Sequence, residues 1–437
     1  MIINTIDLIN FRNFENTSFN FNSQFTVVIG ENGKGKSSIL QGLRIAAGTF
    51  LMGIDEAERY HIQKEDVRRI DLQNRFIPQK GCSIKAYGFL NDQEIEWKRS
   101  KTSSSRTNSK DANDIIKIAE SINKSVNEDF NDEVDLPVIN FFSTSRLWVE
   151  PKQTVKLKKK GSKLKDGYAR CIDSRSDKKS PMEWIKSTYY KSLKGRTESV
   201  LLDAVLEAID ICIPHWTPKE WDEDSDDLGG VLSNEDGQAS FIPLFYLSDG
   251  LRTMAAMVAE IAYRCVVLNP HLGRDAVKKS KGIVLIDEID MHLHPKWQQS
   301  VVNDLKTAFP NIQFIATTHS PFIVQSLKAD ELINLDAVVE EDPIKMSIQD
   351  VASHIMKVEP RSLEYQKTFD NTTYYLELLN KINLGDDYGI DHGPTIEDQL
   401  DELEKQAEIN DPAVAAFFKM NRLALLGSDN DKRKEKE

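Results

Sequence analysis

The chain has 437 residues, of which 40% are hydrophobic and 29% are charged. This composition excludes a mainly disordered or collagen-like protein, and the length suffices for a buried core. The 56 lysines and arginines stand against 69 aspartates and glutamates, a net charge of −13, which excludes a protein that coats nucleic acid over its whole surface and leaves only a local basic patch open.

The first third of the chain mixes short apolar runs with polar stretches. Short apolar runs between polar residues are typical of strands, and apolar residues three or four apart are typical of helices. These patterns predict, in chain order, two strands and a loop (the second strand at 25–29), a helix from Lys36 to about Ala47, a hairpin of 84–89 and 94–97 around Asn91–Asp92, a loop at 100–114 and a buried strand at 137–142.

Two highly charged segments follow. Residues 152–165 contain seven lysines and residues 222–236 contain seven acids, and both segments are typical of solvated loops. The lysines also fit a site for DNA phosphates, and the two interpretations are of equal weight. The acids alternatively shield a basic partner surface or repel DNA.

The later elements carry the strongest apolar patterns. We predict a helix at 251–268, strands at 283–286 and 312–316, and between them an amphipathic helix marked by Trp297, Val301, Leu305 and Ala308. We interpret the two strands as buried on both faces, as in a parallel sheet. After residue 340 the pattern is helical, with an apolar stripe at 396–407 and a charged tail at the end.

The chain lacks the marks of a secreted or membrane protein. No run reaches the ~18 consecutive apolar residues of a membrane span, and the N-terminal segment has no cleavage site typical of a signal peptide. The four cysteines stand far apart, without CxxC or CxxH pairs. We therefore expect a cytoplasmic protein with no membrane contact and no structural zinc site.

A glycine-rich motif lies between the strand at 25–29 and the following helix. It fits GxxxxGK[ST] at Gly30, Glu31, Asn32, Gly33, Lys34, Gly35, Lys36 and Ser37, with Ser38 next. Glycines let backbone N–H groups converge on phosphate oxygens, and the helix N-terminus adds its positive dipole end. We expect Lys36 to reach the β and γ phosphates of ATP, and Ser37 to offer its hydroxyl to Mg²⁺.

Two acids follow the strand at 283–286, which is the partner that such a phosphate loop requires. We expect Asp287 to hold Mg²⁺ through water, and Glu288 to orient and deprotonate the attacking water. His319 follows the strand at 312–316, where a polar residue faces the nucleotide crevice. Spacing alone leaves a structural role for this histidine equally open.

Residues 247–252 (LSDGLR) resemble the LSGGQ-type signature of ABC ATPases. With NFRNF, GENGKGKSS, LIDEID, HLHP and TTHSP, they resemble the ABC/SMC-like branch of P-loop ATPases, which includes Rad50, SMC, RecF and the OLD ATPases. The resemblance implies an α/β fold: an ABC-type P-loop ATPase head with a mixed antiparallel and parallel sheet. It also implies an ATPase domain at 1–340, with its core at 1–50 and 245–335 and a short insertion at about 53–240. A helical region at 341–437 would serve oligomerisation or partner docking.

The resemblance assigns roles position by position. The phosphate loop matches Walker A, Asp287 matches Walker B and Glu288 matches the catalytic base, so Lys36, Glu288 and His319 are the expected catalytic residues. The further nucleotide contacts that it implies are Ser248 and Gly250, which touch the γ-phosphate of the opposite subunit, Asp290 of the D-loop, His319 as γ-phosphate sensor, and Arg12 and Asn13. The glutamine of the Q-loop has no obvious counterpart, and residues 141–146 are its candidate region.

Lys36 and Asp287 are 251 positions apart without heptads, which excludes the coiled-coil arms of SMC and Rad50. Only 118 residues follow His319 and their pattern is helical, so we expect no nuclease domain in this chain. Several longer stretches, such as LPVINFFSTSRLW, are similar to the ATPase subunit of Septu-type bacterial anti-phage systems, including those carried with retrons. In that family a separate HNH nuclease is the effector, and the ATPase forms dimers and larger assemblies.

The sequence therefore predicts an ATP-hydrolysing subunit of an anti-phage defence complex. Two copies would share their ATP sites and control an HNH-type nuclease that acts on DNA. Two alternatives stay open. One is a RecF-like DNA-repair clamp that needs no effector, and the other is a nucleotide-gated regulator of a partner that is not a nuclease.

Overall fold

The structure is a computed structural model that describes residues 1–72, 75–102, 107–144, 162–173, 179–195, 199–233, 238–358, 363–384 and 395–426. The chain divides into two compact units, Met1–Met356 and Lys357–Glu437. The lysines between 152 and 161, residues 145–146 of the candidate Q-loop region and the charged tail from 427 lie outside the described residues.

The strands of the described chain are β1 (Ile2–Phe11), β2 (Phe14–Asn20), β3 (Phe25–Ile29), β4 (Arg69–Leu72), β5 (Arg75–Pro78), β6 (Cys82–Leu90), β7 (Gln93–Lys101), β8 (Val138–Phe142), β9 (Trp216–Asp222), β10 (Asp227–Ser233), β11 (Ala239–Pro243), β12 (Gly282–Ile286), β13 (Ile312–Thr317) and β14 (Leu332–Asn334). The α-helices are α1 (Lys36–Ala47), α2 (Asn113–Asn127), α3 (Lys163–Tyr168), α4 (Lys179–Ser192), α5 (Ser199–Cys212), α6 (Asp249–Leu268), α7 (Ala276–Lys279), α8 (Pro295–Gln298), α9 (Val301–Ala308), α10 (Pro321–Gln325), α11 (Ile348–Asp350), α12 (Leu363–Leu384), α13 (Ile396–Asn410) and α14 (Pro412–Leu426).

A parallel sheet forms the centre of the first unit. Its strand order is β14-β3-β13-β12-β8, and every residue of β3, β8, β12 and β13 is buried. These four strands confirm the predictions from the apolar runs, because a strand covered on both faces carries no alternation of polar residues. The carboxyl ends of β3, β13 and β12 meet at one edge of the sheet, where the phosphate loop also lies.

A second sheet is antiparallel, and its strand order is β2-β1-β6-β7. The α/β class with parallel and antiparallel strands is confirmed, although the two kinds of pairing occur in separate sheets. The predicted hairpin is also confirmed, since β6 and β7 pair around Asn91 (φ 48°) and Asp92 (φ 64°). The segment before the phosphate loop contains three strands rather than two, because Arg12 adopts φ 47° and turns β1 back into β2.

The prediction of a solvated loop at 222–236 is wrong in its described part. Strands β9, β10 and β11 form an antiparallel sheet across this segment. Buried Trp221 and Leu228 hold β9 and β10 in place, while five of the acids lie in and beside the turn between the two strands, from Asp222 to Asp227. The charge count alone did not reveal these buried apolar positions. Likewise, Lys163 and Lys165 of the other charged segment lie in α3, in ion pairs with Asp132 and Glu56.

The helices at 36–47 and 251–268 are confirmed as α1 and α6. The prediction of a single amphipathic helix around Trp297–Ala308 is wrong in one detail, because the segment forms two helices, α8 and α9. The N–H group of Ser300 donates to the carbonyl of Trp297 at 3.2 Å, so the chain tightens into a 3₁₀ turn between the two helices.

The second unit contains α12, α13 and α14. Its buried core consists of Tyr375, Leu378, Leu379, Leu400 and Phe418, and the rings of Tyr375 and Phe418 stack with their centroids 3.9 Å apart. The predicted apolar stripe at 396–407 packs into this core within the chain. No helix of the described residues in either unit has the length and apolar character needed to cross a bilayer.

Candidate active site

An open cavity of about 200 Å³ lies at the carboxyl edge of the parallel sheet. It is lined by Asn13, Asn32, Gly33, Gly35, Lys36, Ser37, Ser38, Asp287, Glu288, Thr317 and His319. The strand order explains this assembly, because β13 lies between the strand that leads into the phosphate loop and the strand that ends at Asp287. The phosphate loop, the acidic strand end and the histidine therefore come together as the sequence predicts.

The glycines of the loop are required by its backbone shape. Gly33 has φ 86° and Gly35 has φ 110°, a region that residues with a side chain rarely adopt. A Cβ atom on Gly35 would also lie 2.6 Å from Cζ of Phe14. The loop turns tightly enough to present its backbone N–H groups at the N-terminus of α1, which is an anion-binding arrangement.

Lys36 begins α1 and is only 8% exposed. Its Nζ donates to the carbonyl oxygens of Gly30 at 2.7 Å and Glu31 at 3.2 Å. Burial lowers the pKa of Lys36 from its ordinary value, and the nearby carboxylates, first that of Asp336, oppose this shift. Since charged acceptors form stronger hydrogen bonds than neutral carbonyls, a phosphate would be the better partner for this ammonium group.

Ser37 and Asp287 bring two hard oxygen donors together. Oγ of Ser37 lies 3.4 Å from Oδ1 of Asp287. Mg²⁺ in nucleotide sites takes one or two protein oxygens and completes its shell with water and phosphate oxygens. This donor pair beside a phosphate loop fits such an ion, although among the described residues no group of three or more His, Cys, Asp or Glu side chains forms a metal site of its own.

Thr317 lies at the end of β13 and is a site residue that sequence reasoning missed. Its Oγ1 donates to Oδ1 of Asp287 at 2.7 Å and accepts the backbone N–H of Glu288 at 2.8 Å. The available signal was its position two residues before His319, at the carboxyl end of a strand next to β12. Its partners depend on strand order, which the sequence does not state.

Asp336 follows β14 and is a second residue that was missed. Its Oδ2 accepts the backbone N–H of Glu31 at 2.7 Å, and its Oδ1 lies 3.3 Å from Nζ of Lys34. The side chain of Lys34 is therefore bound outside the cavity lining, and Glu31 and Gly30 likewise belong to the loop without lining the cavity. The acid after an edge strand of the same sheet was the signal for this contact.

The two residues of the N-terminal pair have different surroundings. Asn13 lines the cavity and donates from Nδ2 to the carbonyl of Gly33 at 2.5 Å. Arg12 does not line it; Nε of Arg12 lies 2.8 Å from Oδ1 of buried Asp66. Only Asn13 of this pair is in a position to act at the cavity of its own chain.

The signature segment lies outside the cavity of its own chain. Ser248 is exposed and precedes α6, while Gly250 is buried in its first turn. A Cβ atom on Gly250 would lie 2.2 Å from the carbonyl oxygen of His292, so the helix start packs directly on the segment that follows Asp290. Asp290 accepts a hydrogen bond from Oγ1 of Thr318 at 2.5 Å, and it does not line the cavity either.

A phosphate loop between β3 and α1, acids after β12, a histidine after β13 and a signature-type start of α6 define an ABC/SMC-like P-loop ATPase. Residues 1–324 match the AAA_15 family, described as an AAA ATPase domain. The chain belongs to this family. The predicted nucleotide-binding ATPase domain is thereby confirmed.

Two similar proteins are named as a retron ATPase and a Septu protein. The chain is 26% identical over 394 residues to the "Retron Ec83 probable ATPase" of Escherichia coli, covering 75% of this chain and 70% of that protein. It is 27% identical over 335 residues to the "Septu protein PtuA" of Bacillus mycoides (strain KBAB4), covering 74% of this chain and 39% of that protein. Most of the leading curated relatives are matched over less than two thirds of their length. The predicted resemblance to this group is confirmed.

A solved SMC head bound to the C-winged helix domain of ScpA is similar to this chain at 14% identity and a TM-score of 0.46, with 78% of this chain and 96% of that chain covered.

Proposed function

We propose that this chain is the ATPase subunit of a bacterial anti-phage defence complex, in which two copies share two ATP molecules and control a separate nuclease that acts on DNA. The observation that carries the shared ATP site is the position of the signature segment. Ser248 is exposed and does not line the cavity that holds Lys36 and Glu288. A second copy, turned to face the first, would bring its own Ser248 and Gly250 to that open cavity.

The chemistry follows from the side chains that line the cavity. Lys36 and the backbone N–H groups of the loop would bind the phosphates and stabilise their negative charge. Mg²⁺, held by Ser37 and through water by Asp287, would supply additional charge neutralisation at the phosphates. Glu288 would accept a proton from the attacking water, and His319 would contact the γ-phosphate. Hydrolysis would remove this contact and let the two copies separate.

The distribution of acids supports a separate effector. Metal-dependent nucleases need clustered acids or histidines on a rigid scaffold, and the described residues contain no such group of three. The acids on a strand end of the central sheet, Asp287 and Glu288, are occupied with ATP in this proposal. The names of the relatives, a Septu protein and a retron ATPase, favour defence as the setting, and an HNH nuclease is the effector that the Septu resemblance implies.

Mixed subunits test the shared site. We expect Ser248→Arg to block ATP turnover without blocking nucleotide binding, because Ser248 would act on the ATP of the other copy. Lys36→Ala would fail to bind ATP. Mixing the two variants should restore part of the turnover, since one composite site then has an intact half from each chain. Ser240→Arg, a change at another exposed serine before α6, should keep the turnover of the parent.

The two outcomes of the mixing experiment are distinct. Recovery of turnover supports the shared site, whereas no recovery after demonstrated subunit exchange contradicts it. The effector is tested by mass spectrometry of proteins that co-purify with the tagged chain from its host. An HNH nuclease among them supports the defence complex, and binding to duplex–single-strand junctions without any partner would favour the RecF-like clamp instead.

A further inference from the structure

Glu288 has a backbone conformation that L-residues rarely adopt. Its φ is 50°, in the left-handed region where a side chain is disfavoured. Such conformations persist at functional sites when the surrounding structure holds them. The hydrogen-bond partners of the N–H groups of Glu288 and Ile289 therefore identify the residue that stabilises this conformation.

Thr317 supplies the partners of both N–H groups at this bend. The N–H of Glu288 donates to Oγ1 of Thr317 at 2.8 Å, and the N–H of Ile289 donates to the carbonyl oxygen of Thr317 at 2.9 Å. Thr317 is fully buried and lies one residue beyond the last paired position of β12 and β13, Ile286 and Ala316. It is thus fixed by the sheet while it holds the chain that leaves the neighbouring strand.

The hydroxyl group of Thr317 also donates a hydrogen bond, to the side chain of Asp287. Because the carboxylate of Asp287 can only accept, Oγ1 of Thr317 donates its proton to Oδ1 of Asp287 at 2.7 Å, while it accepts the N–H of Glu288. One hydroxyl group therefore binds the side chain of the first acid and the main chain of the second. A hydrogen-bonded carboxylate also loses rotational freedom, so Thr317 restrains the side chain of Asp287 and the backbone of Glu288 together.

We propose that Thr317 is a positioning residue for ATP hydrolysis, which fixes the backbone bend of Glu288 and thereby aims its carboxylate at the attacking water. This inference rests on the proposed role of Glu288 as general base. The residue binds neither nucleotide nor water in this account, and its effect passes through Glu288 and Asp287. It should consequently affect turnover far more than affinity for ATP.

Thr317→Val tests the inference, since valine keeps the shape of threonine and removes the hydroxyl. We expect kcat to fall by about 100-fold, the loss typical of a misplaced catalytic group, while the Kd of ATP changes by less than about threefold. Thr317→Ser, which restores the hydroxyl, should recover most of the turnover. If the valine variant does not fold, Thr317→Ala removes the same hydroxyl without adding volume.

Thr26→Val is the matched control. Thr26 is a fully buried threonine of β3 in the same sheet, and its Oγ1 accepts the N–H of Asn22 at 2.9 Å. It has no contact with Asp287 or Glu288 among the described hydrogen bonds. This variant reports the cost of removing a buried hydroxyl, so we expect a lower Tm with kcat close to that of the parent.

Glu288→Gln, measured in parallel, separates this inference from the assignment on which it rests. Parent-like turnover of Thr317→Val beside an inactive Glu288→Gln overturns the role of Thr317 and leaves the base in place. Parent-like turnover of Glu288→Gln removes the base assignment and the inference with it. A loss of turnover in Thr317→Val that equals the loss in Thr26→Val, or that serine does not restore, also overturns the inference.

Discussion

The ammonium group of Lys36 is bound by the loop that it is expected to serve. It donates to the carbonyl oxygens of Gly30 and Glu31, which are neutral acceptors. Burial lowers the pKa of Lys36, and nearby carboxylates oppose that shift. Phosphate oxygens would satisfy the same donors and supply the missing negative charge, so binding replaces weaker hydrogen bonds with stronger ones.

We therefore expect Lys36→Ala to abolish measurable ATP binding and hydrolysis while the fold persists, because the side chain packs against loop carbonyls rather than in the core. Isothermal titration with ATP and Mg²⁺ measures the affinity, and thermal unfolding checks the fold. Lys219→Ala removes the same charge from an exposed position of β9 and serves as control. Unchanged affinity of the Lys36 variant would refute the assignment of the phosphate loop.

Glu288→Gln should keep ATP binding and nearly stop turnover. The amide has almost the shape of the carboxylate, but it cannot accept the proton of the attacking water. In the proposed dimer the ATP-bound, closed state should accumulate, and sedimentation with ATP measures it. Glu220→Gln, at an exposed position of β9, is the matched control. A Glu288 variant that hydrolyses at the parent rate would place the base elsewhere.

The motif residues of the site were predictable because their chemistry depends on local spacing. The loop at 30–38 and the pair Asp287–Glu288 each occupy consecutive positions, and the strand and helix around them are short-range features. Thr317 and Asp336 were not predictable, since their partners are 30 and 305 residues away in sequence. Arg12 is the reverse case, because the motif placed it near the nucleotide. In the structure it forms an ion pair with Asp66, 54 residues further along the chain, which no local pattern indicates.

At the scale of elements, apolar strands of the central sheet were the most predictable features. Residues 25–29, 283–286 and 312–316 are buried on both faces, so their sequences are mainly apolar and allow few other structures. The sheet of β9, β10 and β11 was missed because the turn between β9 and β10 is highly acidic and the segment was interpreted from its charge. Burial of Trp221 and Leu228 is a tertiary effect that outweighs the local charge.

Gly250 connects two elements, the start of α6 and the segment after Asp290. A methyl group at this position would lie 2.2 Å from the carbonyl oxygen of His292, so the backbone would have to move. We expect Gly250→Ala to lower stability by about 1–3 kcal/mol, the usual cost of overpacking, and to reduce turnover by displacing the signature segment. Thermal unfolding and steady-state ATP hydrolysis measure the two effects.

Ser248→Ala is the control for this change. Ser248 is exposed, and its side chain makes no cap hydrogen bond to α6. Its loss should therefore leave the free energy of unfolding nearly unchanged. If Gly250→Ala is as stable as Ser248→Ala, the segment after Asp290 moves to make room for the methyl group. The close contact then contributes nothing to the free energy of unfolding.

At the scale of the whole molecule, the purified chain should not cut DNA. The described residues offer no cluster of three metal-binding side chains, and the acids at the end of β12 are assigned to ATP. The measurement is plasmid incubation with Mg²⁺ or Mn²⁺, with and without ATP, using protein free of other subunits. Nicking that persists in Lys36→Ala and follows the protein peak through several columns would place a nuclease site in this chain.

The contact between Gly250 and His292 has a consequence for a pair of copies that share two ATP molecules. Glu288 lines one nucleotide site, and the backbone that continues from it reaches His292, on which the signature segment packs. In the proposed dimer that segment would face the other site. A movement of this backbone after hydrolysis at the first site would then displace the signature segment of the same chain, which would contact the ATP at the second site. We expect the two turnovers to be cooperative, so that the rate departs from a simple hyperbola as ATP is varied, and Gly250→Ala should weaken that departure.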